Sequence, residues 1–148
     1  EAATFHEERL RTRPEDFGAD VLARLKSSQE FSAADYARAR RAQVQLIHDM
    51  QHFFEYVDVL VVPTTPIAAP SLDNPTELDK ARTVLSWFTA PFNMAGLPAI
   101  SIPCGFTVDG LPVGLQLIAA PWQEAQLLRA AFAYEQSTEW HLRRPQLD

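Results

Sequence analysis

Between Thr83 and Gln123 the chain carries a single charged residue, Asp109, although 22% of its 148 residues are charged. A stretch that apolar cannot be a solvated surface; it belongs in an interior or along an interface. A plain core, however, would use more Leu, Ile and Val. Here Thr89-Ala-Pro-Phe-Asn-Met-Ala-Gly-Leu-Pro-Ala-Ile-Ser-Ile-Pro-Cys-Gly-Phe106 and Asp109-Gly-Leu-Pro-Val-Gly-Leu-Gln-Leu-Ile118 are dense in Pro, Gly, Asn and Thr. Such residues set backbone geometry and supply small polar groups, a mixture that suits the wall of a buried site.

Local signals divide this stretch into elements. Pro91 fits a first helical turn, where a missing N–H costs nothing, and Gly96 reads as the C-terminal stop. Ala99 to Pro103 is short and apolar, as a buried strand would be. Phe106 to Val108, Asp109-Gly110 and Val113 to Ile118 read as a hairpin, because Asp-Gly fits the positive φ of a tight turn. Pro112 weakens pairing near the turn, so the second strand is expected to start after it.

The remainder is organised more simply. Residues 1 to 56 are helical and densely charged, and strand, Pro-rich loop and sheet/helix elements occupy 57 to 148. Pro14 with Glu15-Asp16 starts a helix whose stripe is Val21, Leu22 and Leu25. Ser32-Ala-Ala-Asp35 is a capping-box pattern. From there Val44, Ile47, Met50 and Phe54 form one helical row and Leu46, Phe53 and Val57 the next, a stripe wide enough to pack on a sheet. Arg38, Arg40 and Arg41 read as a solvated helix face. A strand at Asp58 to Val62 runs into Pro63-Thr64-Thr65-Pro66, then Pro70 and Pro75, an irregular but stiff loop. A helix follows over about Thr76 to Phe88. The last helix spans Trp122 to about Thr138, with Leu128 and Phe132 flanked by Leu127, Ala131 and Glu135.

Bulk properties exclude several classes. A formal net charge of −6 argues against nonspecific nucleic-acid binding. No apolar run approaches the roughly 20 residues that cross a bilayer. Cys104 stands alone, which excludes an internal disulfide and fits a reducing, cytoplasmic compartment. His48 and His52 have metal-ligand spacing, yet no Glu or third ligand accompanies them, so a structural or surface role and no metal are expected. The sequence starts at Glu1 inside a helical pattern, as a segment of a longer chain would.

The ordered motifs resemble the C-terminal part of an amidase of the amidase signature family. Those enzymes carry Thr-x-Pro-x-Asn-x-x-Gly-x-Pro-Ala, matched by Thr89 to Ala99, running into Gly-Leu-Pro-x-Gly-Leu-Gln, matched by Gly110 to Gln116. Glu1-Ala-Ala-x-x-His6, Asp35-Tyr36, Val57-Asp58-Val-Leu-Val-Val-Pro-Thr64, Trp140-His141 and Arg144-Pro145 fall in the same order. The resemblance implies an α/β fold: the C-terminal part of one three-layer α/β/α domain with a mixed central sheet. It also implies hydrolysis of a small-molecule carboxylic amide through a serine acyl-enzyme, without cofactor, metal, nucleic acid or membrane, with a homodimer as one allowed assembly.

The family's nucleophilic Ser, its second Ser and its Lys base lie upstream of everything matched here. This chain has five glycines, none adjacent to another, and two lysines, Lys26 and Lys80. Lys26-Ser27-Ser28 sits at the polar end of a helix and reads as a solvated terminus, so no residue is assigned to catalysis. The candidate substrate-lining residues are Thr64, Pro66, Trp87, Thr89, Phe92 and Asn93. Thr64 and Pro66 belong to a loop that borders the substrate entrance in the family, or else is a rigid surface connection. Trp87 lines an acyl pocket or the core, and core suits Phe88 better. Asn93 is expected to be buried, bracing backbone around the site rather than touching substrate. Gln116 is expected to span a polar gap in the core.

One departure bears on substrate. The glutamine-hydrolysing component of tRNA-dependent amidotransferases typically has Asp three positions before the matching Thr, and here that place is Ser86. A general amidase therefore ranks above this component, the A subunit of such an amidotransferase. The remaining alternative is a stand-alone, non-catalytic relic or binding module, which would be a cooperatively melting monomer. A segment of an active amidase would instead leave apolar strand edges open when isolated.

Overall fold

A computed structural model describes residues 1–144, so Pro145 of the tail motif lies outside the described residues. The chain divides into two compact units, Glu1–Ala42 and the residues from Gln43 onward.

The first unit contains α1 (Ala2–Phe5), α2 (Glu7–Thr12), α3 (Ala19–Ser27) and the opening turns of α4 (Ala33–Phe53). Its buried apolar residues are Ala3 and Leu25, while Val21 of the expected stripe is exposed. The start of α4 is a reciprocal capping box. The Asp35 N–H donates to Ser32 Oγ at 3.1 Å, and the Ser32 N–H donates back to Asp35 Oδ2 at 2.9 Å. The Ser32 hydroxyl, then its N–H, then Arg38 hold the Asp35 carboxyl below the usual carboxylate range.

The second unit contains the rest of α4, β1 (Leu60–Pro63), α5 (Pro75–Val84), α6 (Ala90–Ala95), β2 (Ala99–Phe106), β3 (Pro112–Ile118) and α7 (Glu124–Gln136). The strands form one sheet in the order β1-β3-β2, and both pairings are antiparallel. Any parallel pairing in the family's mixed sheet is therefore not among these three strands.

Because side chains alternate along a strand, the central β3 feeds two cores. Leu117 joins Ile102, Ala119, Leu127 and Ala131, with Ile100, Leu115 and Tyr134 packed against them, beneath α7. Ile118 joins Phe92, Ala95 and Leu97, with Leu46, Ile47, Met50, Phe54, Leu60 and Val62 packed around them. Helices α4 and α6 cover that second face, so the unit has three layers, α/β/α. Ile118 is fully buried, and burying such a side chain contributes about 1.5–3 kcal/mol.

Several boundaries follow from backbone chemistry. Gly96 ends α6 at φ 69°. Its N–H bonds the Asn93 carbonyl at 3.2 Å and the Leu97 N–H bonds the Phe92 carbonyl at 3.0 Å, a Schellman closure. Gly110 turns the hairpin at φ 81°. Pro112 proves to be the first residue of β3 rather than preceding it, a position where a strand tolerates a missing N–H. The register shifts between Pro103 and Gly105, which leaves Cys104 as a bulge.

Two expected stripes are corrected. In α7 the inward row is Leu127 and Ala131, whereas Leu128 and Phe132 are exposed. The smaller row faces inward because Ala131 lets the helix lie close to β2 and β3. Along α4 and the turn that follows it the packed residues are Leu46, Ile47, Met50 and Phe54, and Val44 is exposed.

Candidate functional site

The face of the sheet beneath α4 and α6 changes character along β3. Ile118 is apolar, Gln116 polar and Gly114 bare, and these even-numbered residues share one side. Pairing places Leu60 and Ala99 beside Ile118, then Val62 and Ser101 beside Gln116. One step further, Pro103 pairs with Gly114, and the Thr64 N–H extends β1 by donating to the Gly114 carbonyl at 2.9 Å. Thr64 and Ser101 therefore meet over Gly114, with Thr64 Oγ1 and Ser101 Oγ 2.6 Å apart. A Cβ on Gly114 would lie 2.7 Å from Thr64 Oγ1 and 2.8 Å from Ser101 Oγ. Glycine is what lets the hydroxyls meet. They line an open groove of about 320 Å³ with Thr65, Pro103 and Pro112.

Gln116 connects this face to the Thr89 motif. Its side chain is buried, and Nε2 donates to the Phe88 carbonyl at 2.7 Å. A buried amide needs such a partner. The bond pins the connection between α5 and α6, with Trp87 and Thr89 on either side of the anchored carbonyl. Trp87 is 62% exposed, so its ring is available rather than packed away. Thr89 stands at the start of α6, its hydroxyl directed at the Ser86 carbonyl at 3.4 Å. A second clamp holds the far end of α6, where Gln43 Nε2 donates to the Met94 carbonyl at 2.8 Å.

The six candidate residues therefore separate. Thr64 lines the hydroxyl groove, and Pro66 is half-buried two residues further along the loop. Trp87 and Thr89 flank the pinned carbonyl. Phe92 does not line an opening: it packs in the core with Ala95, Leu97 and Ile118. Asn93 is exposed, contrary to the expectation of burial. In a helix as short as α6, turning Phe92 and Ala95 inward leaves Asn93 and Met94 outside. Ser101 and Gly114 were not singled out by sequence, although the alternation that pairs them with Thr64 is present in all three strands.

Other clusters have local explanations. The hydroxyls of Ser27 and Ser28 donate to the Arg24 and Leu25 carbonyls at 3.0 and 2.8 Å, so both serve the end of α3. His52 Nδ1 lies 3.1 Å from Glu55 Oε2 on an exposed surface, and His48 is also exposed. Among the described residues no helix is long and apolar enough to cross a membrane.

The family model for Amidase matches residues 1–128. The chain belongs to the amidase signature family. It is 43% identical over 141 residues to the A subunit of the glutamyl-tRNA(Gln) amidotransferase of Acaryochloris marina, an alignment covering 92% of this chain and 29% of that relative. A solved protein from a vestigial complex, bearing on the evolutionary origins of an s-triazine catabolic enzyme, superposes at TM-score 0.81 with 31% identity. That match covers 91% of this chain and 31% of the other. A crystal structure of an amidase also reaches TM-score 0.81, at 27% identity, over 93% of this chain and 32% of its own. The chain spans about 30% of the length of the curated relatives it matches.

Proposed function

We propose that the polypeptide carrying this segment hydrolyses a carboxylic amide through a serine acyl-enzyme, releasing ammonia or an amine. In this reading the segment is the C-terminal part of one amidase domain. The nucleophilic Ser, its partner Ser and the Lys base come from residues upstream, as the family resemblance implies. A serine hydroxyl attacks only when a base takes its proton, and the oxyanion needs preorganised donors. This chain supplies the substrate side: Thr64, Pro66, Trp87 and Thr89 face the ligand, and Phe92 anchors α6 beneath them. Asn93 acts through the backbone it belongs to.

The observation that carries this reading is the Gln116 to Phe88 bond of 2.7 Å. It fastens the signature segment to the sheet face that also holds the hydroxyl groove. Apolar wall, aromatic side chain and a few fixed polar groups are the parts of a small-molecule site. Cofactor, metal, nucleic acid and membrane have no role in the proposal, which places the protein in the cytoplasm and allows a homodimer. The test is ammonia release from a panel of primary amides by the complete polypeptide and by residues 1–148 alone. The complete protein should turn over amides and the segment should not. Turnover by the segment alone would overturn the division of labour, and a complete protein inert toward every amide would overturn the activity.

A second reading has an observation of its own, the 43% identity to the A subunit of a glutamyl-tRNA(Gln) amidotransferase. On that reading the complete protein hydrolyses glutamine within a tRNA-dependent amidotransferase, together with its other components. Ser86 ranks it second, since the glutamine-hydrolysing component typically has Asp there. A glutaminase assay with and without those components separates the two. A stand-alone binding module remains the third reading, and an isolated segment that melts cooperatively as a monomer would favour it.

A further inference from the structure

We propose that the Thr64–Ser101 hydroxyl pair is a subsite for a neutral carboxamide group of the ligand, and that Gly114 keeps this subsite open. The choice of ligand rests on the amide reading above, whereas the subsite's geometry does not. Two hydroxyls together hold two donor hydrogens and four acceptor lone pairs. Their 2.6 Å contact consumes one donor and one lone pair, whichever oxygen donates. Neither side chain has another hydrogen-bond partner among the described residues. One O–H and three lone pairs therefore remain, with Ser101 exposed at the groove and Thr64 half-buried beside it.

A group that satisfies both functions must accept one hydrogen bond and donate another over a short span. A primary carboxamide does so with its carbonyl oxygen and NH₂. A carboxylate offers acceptors alone and would leave the hydroxyl lone pairs facing negative charge. A tertiary amide has no N–H to give. The groove should therefore prefer an amide to the corresponding acid, which also favours release of an acid formed by hydrolysis. Its remaining wall, with Pro103, Pro112 and the bare Gly114, provides no charge to hold an ion.

The experiment uses the complete polypeptide and three probes: benzamide, N,N-dimethylbenzamide and benzoate. Binding is read as competitive inhibition of the best amide substrate, with KM and kcat for that substrate measured beside it. In a protein that hydrolyses nothing, the same comparison is read as Kd by calorimetry, where no turnover interferes. Wild type should bind benzamide about tenfold tighter than either other probe, the size of one neutral hydrogen bond. Thr64→Val keeps the shape of threonine and should abolish that preference, with KM for the amide substrate raised by a similar factor. Thr64→Ser restores the hydroxyl and should restore the preference, a rescue that a purely structural role would not give.

Gly114→Ala places a methyl between the two oxygens and should act as Thr64→Val does. Should it fail to fold, the Thr64 pair of variants still decides the matter. A preference that survives Thr64→Val, or a wild-type protein that binds the three probes equally, overturns the subsite. Absence of amide turnover alone overturns the proposed activity and leaves the binding comparison decisive.

Discussion

Removing the donor from Gln116 should loosen the segment around Trp87 and Thr89 more than any other part of the sheet. Gln116 is 4% exposed and supplies the hydrogen bond to the Phe88 carbonyl. Gln116→Met keeps the length of the side chain and removes its N–H donor. The loss combines the net value of one hydrogen bond with the cost of an orphaned buried carbonyl, about 1–3 kcal/mol together. That corresponds to a roughly 5- to 150-fold rise in the open population of the segment. Hydrogen exchange on the complete polypeptide, followed in peptides covering Ser86 to Phe92, reads the change directly. Gln116→Glu adds a sign. A buried carboxylate facing a carbonyl has its pKa raised above the ordinary Glu value, so the folded state holds its proton at pH values where the unfolded chain has lost it. The variant should be the less stable one at neutral pH and recover as pH falls, by about 1.4 kcal/mol per unit between the two pKa values. Below the raised value the protonated carboxyl can donate to Phe88 as the amide did. Exchange unchanged in Gln116→Met, or a pH-independent deficit in Gln116→Glu, would refute the tether.

Three further outcomes test the packing and caps. Gly96→Ala should cost about 1–2 kcal/mol in a denaturant titration, and because a Cβ there meets nothing within 4 Å the whole cost is the left-handed backbone at φ 69°. Leu127→Ala should cost about 2–5 kcal/mol, whereas Leu128→Ala, at an exposed position, should stay within about 0.5 kcal/mol; the reverse order would put the wrong row of α7 on the sheet. The capping box stabilises folding above the ordinary Asp titration range, because the Asp35 pKa is lowered in the folded state, and that stability is lost as pH falls through the folded value. Ser32→Ala should therefore lower the urea midpoint at neutral pH and have much less effect in acid, read by titrations at both.

What the sequence disclosed depended on how far each constraint reaches along the chain. Gly96 and Gly110 were legible because a positive φ is a local demand that glycine meets without strain. The Ser32 and Asp35 cap was legible for the same reason, being closed within four residues. Gln116 announced itself as a lone amide in an apolar strand, although its partner carbonyl lies 28 positions away. The α7 face was misjudged because Leu128 and Phe132 are the larger apolar residues, and only contact with β2 and β3 reveals that Ala131 permits closer approach. The hydroxyl pair lay beyond local reading altogether. Thr64 and Ser101 are 37 positions apart, and their meeting requires the register of two strand pairs plus the missing side chain of Gly114.

The same register makes β3 a graded path from dry core to groove. Along one face Ile118 is wholly buried, Gln116 is buried and bonded, and Gly114 floors an open groove. Same-face neighbours on a strand are separated by about 6.8 Å. A group over Gly114 would lie one step from an amide committed to Phe88 and two steps from the apolar core. The register also makes groove and tether two parts of one rigid face. If that is correct, Thr64→Val and Gln116→Met should be coupled in their effect on kcat/KM of the complete protein, since a loosened Trp87–Thr89 segment can no longer hold the ligand against the hydroxyls. A double-mutant cycle should return about 0.5–3 kcal/mol of interaction, the range for residues sharing one network. Strict additivity would mean that the groove and the signature segment serve the ligand independently, and that Gln116 stabilises the fold without coupling the two.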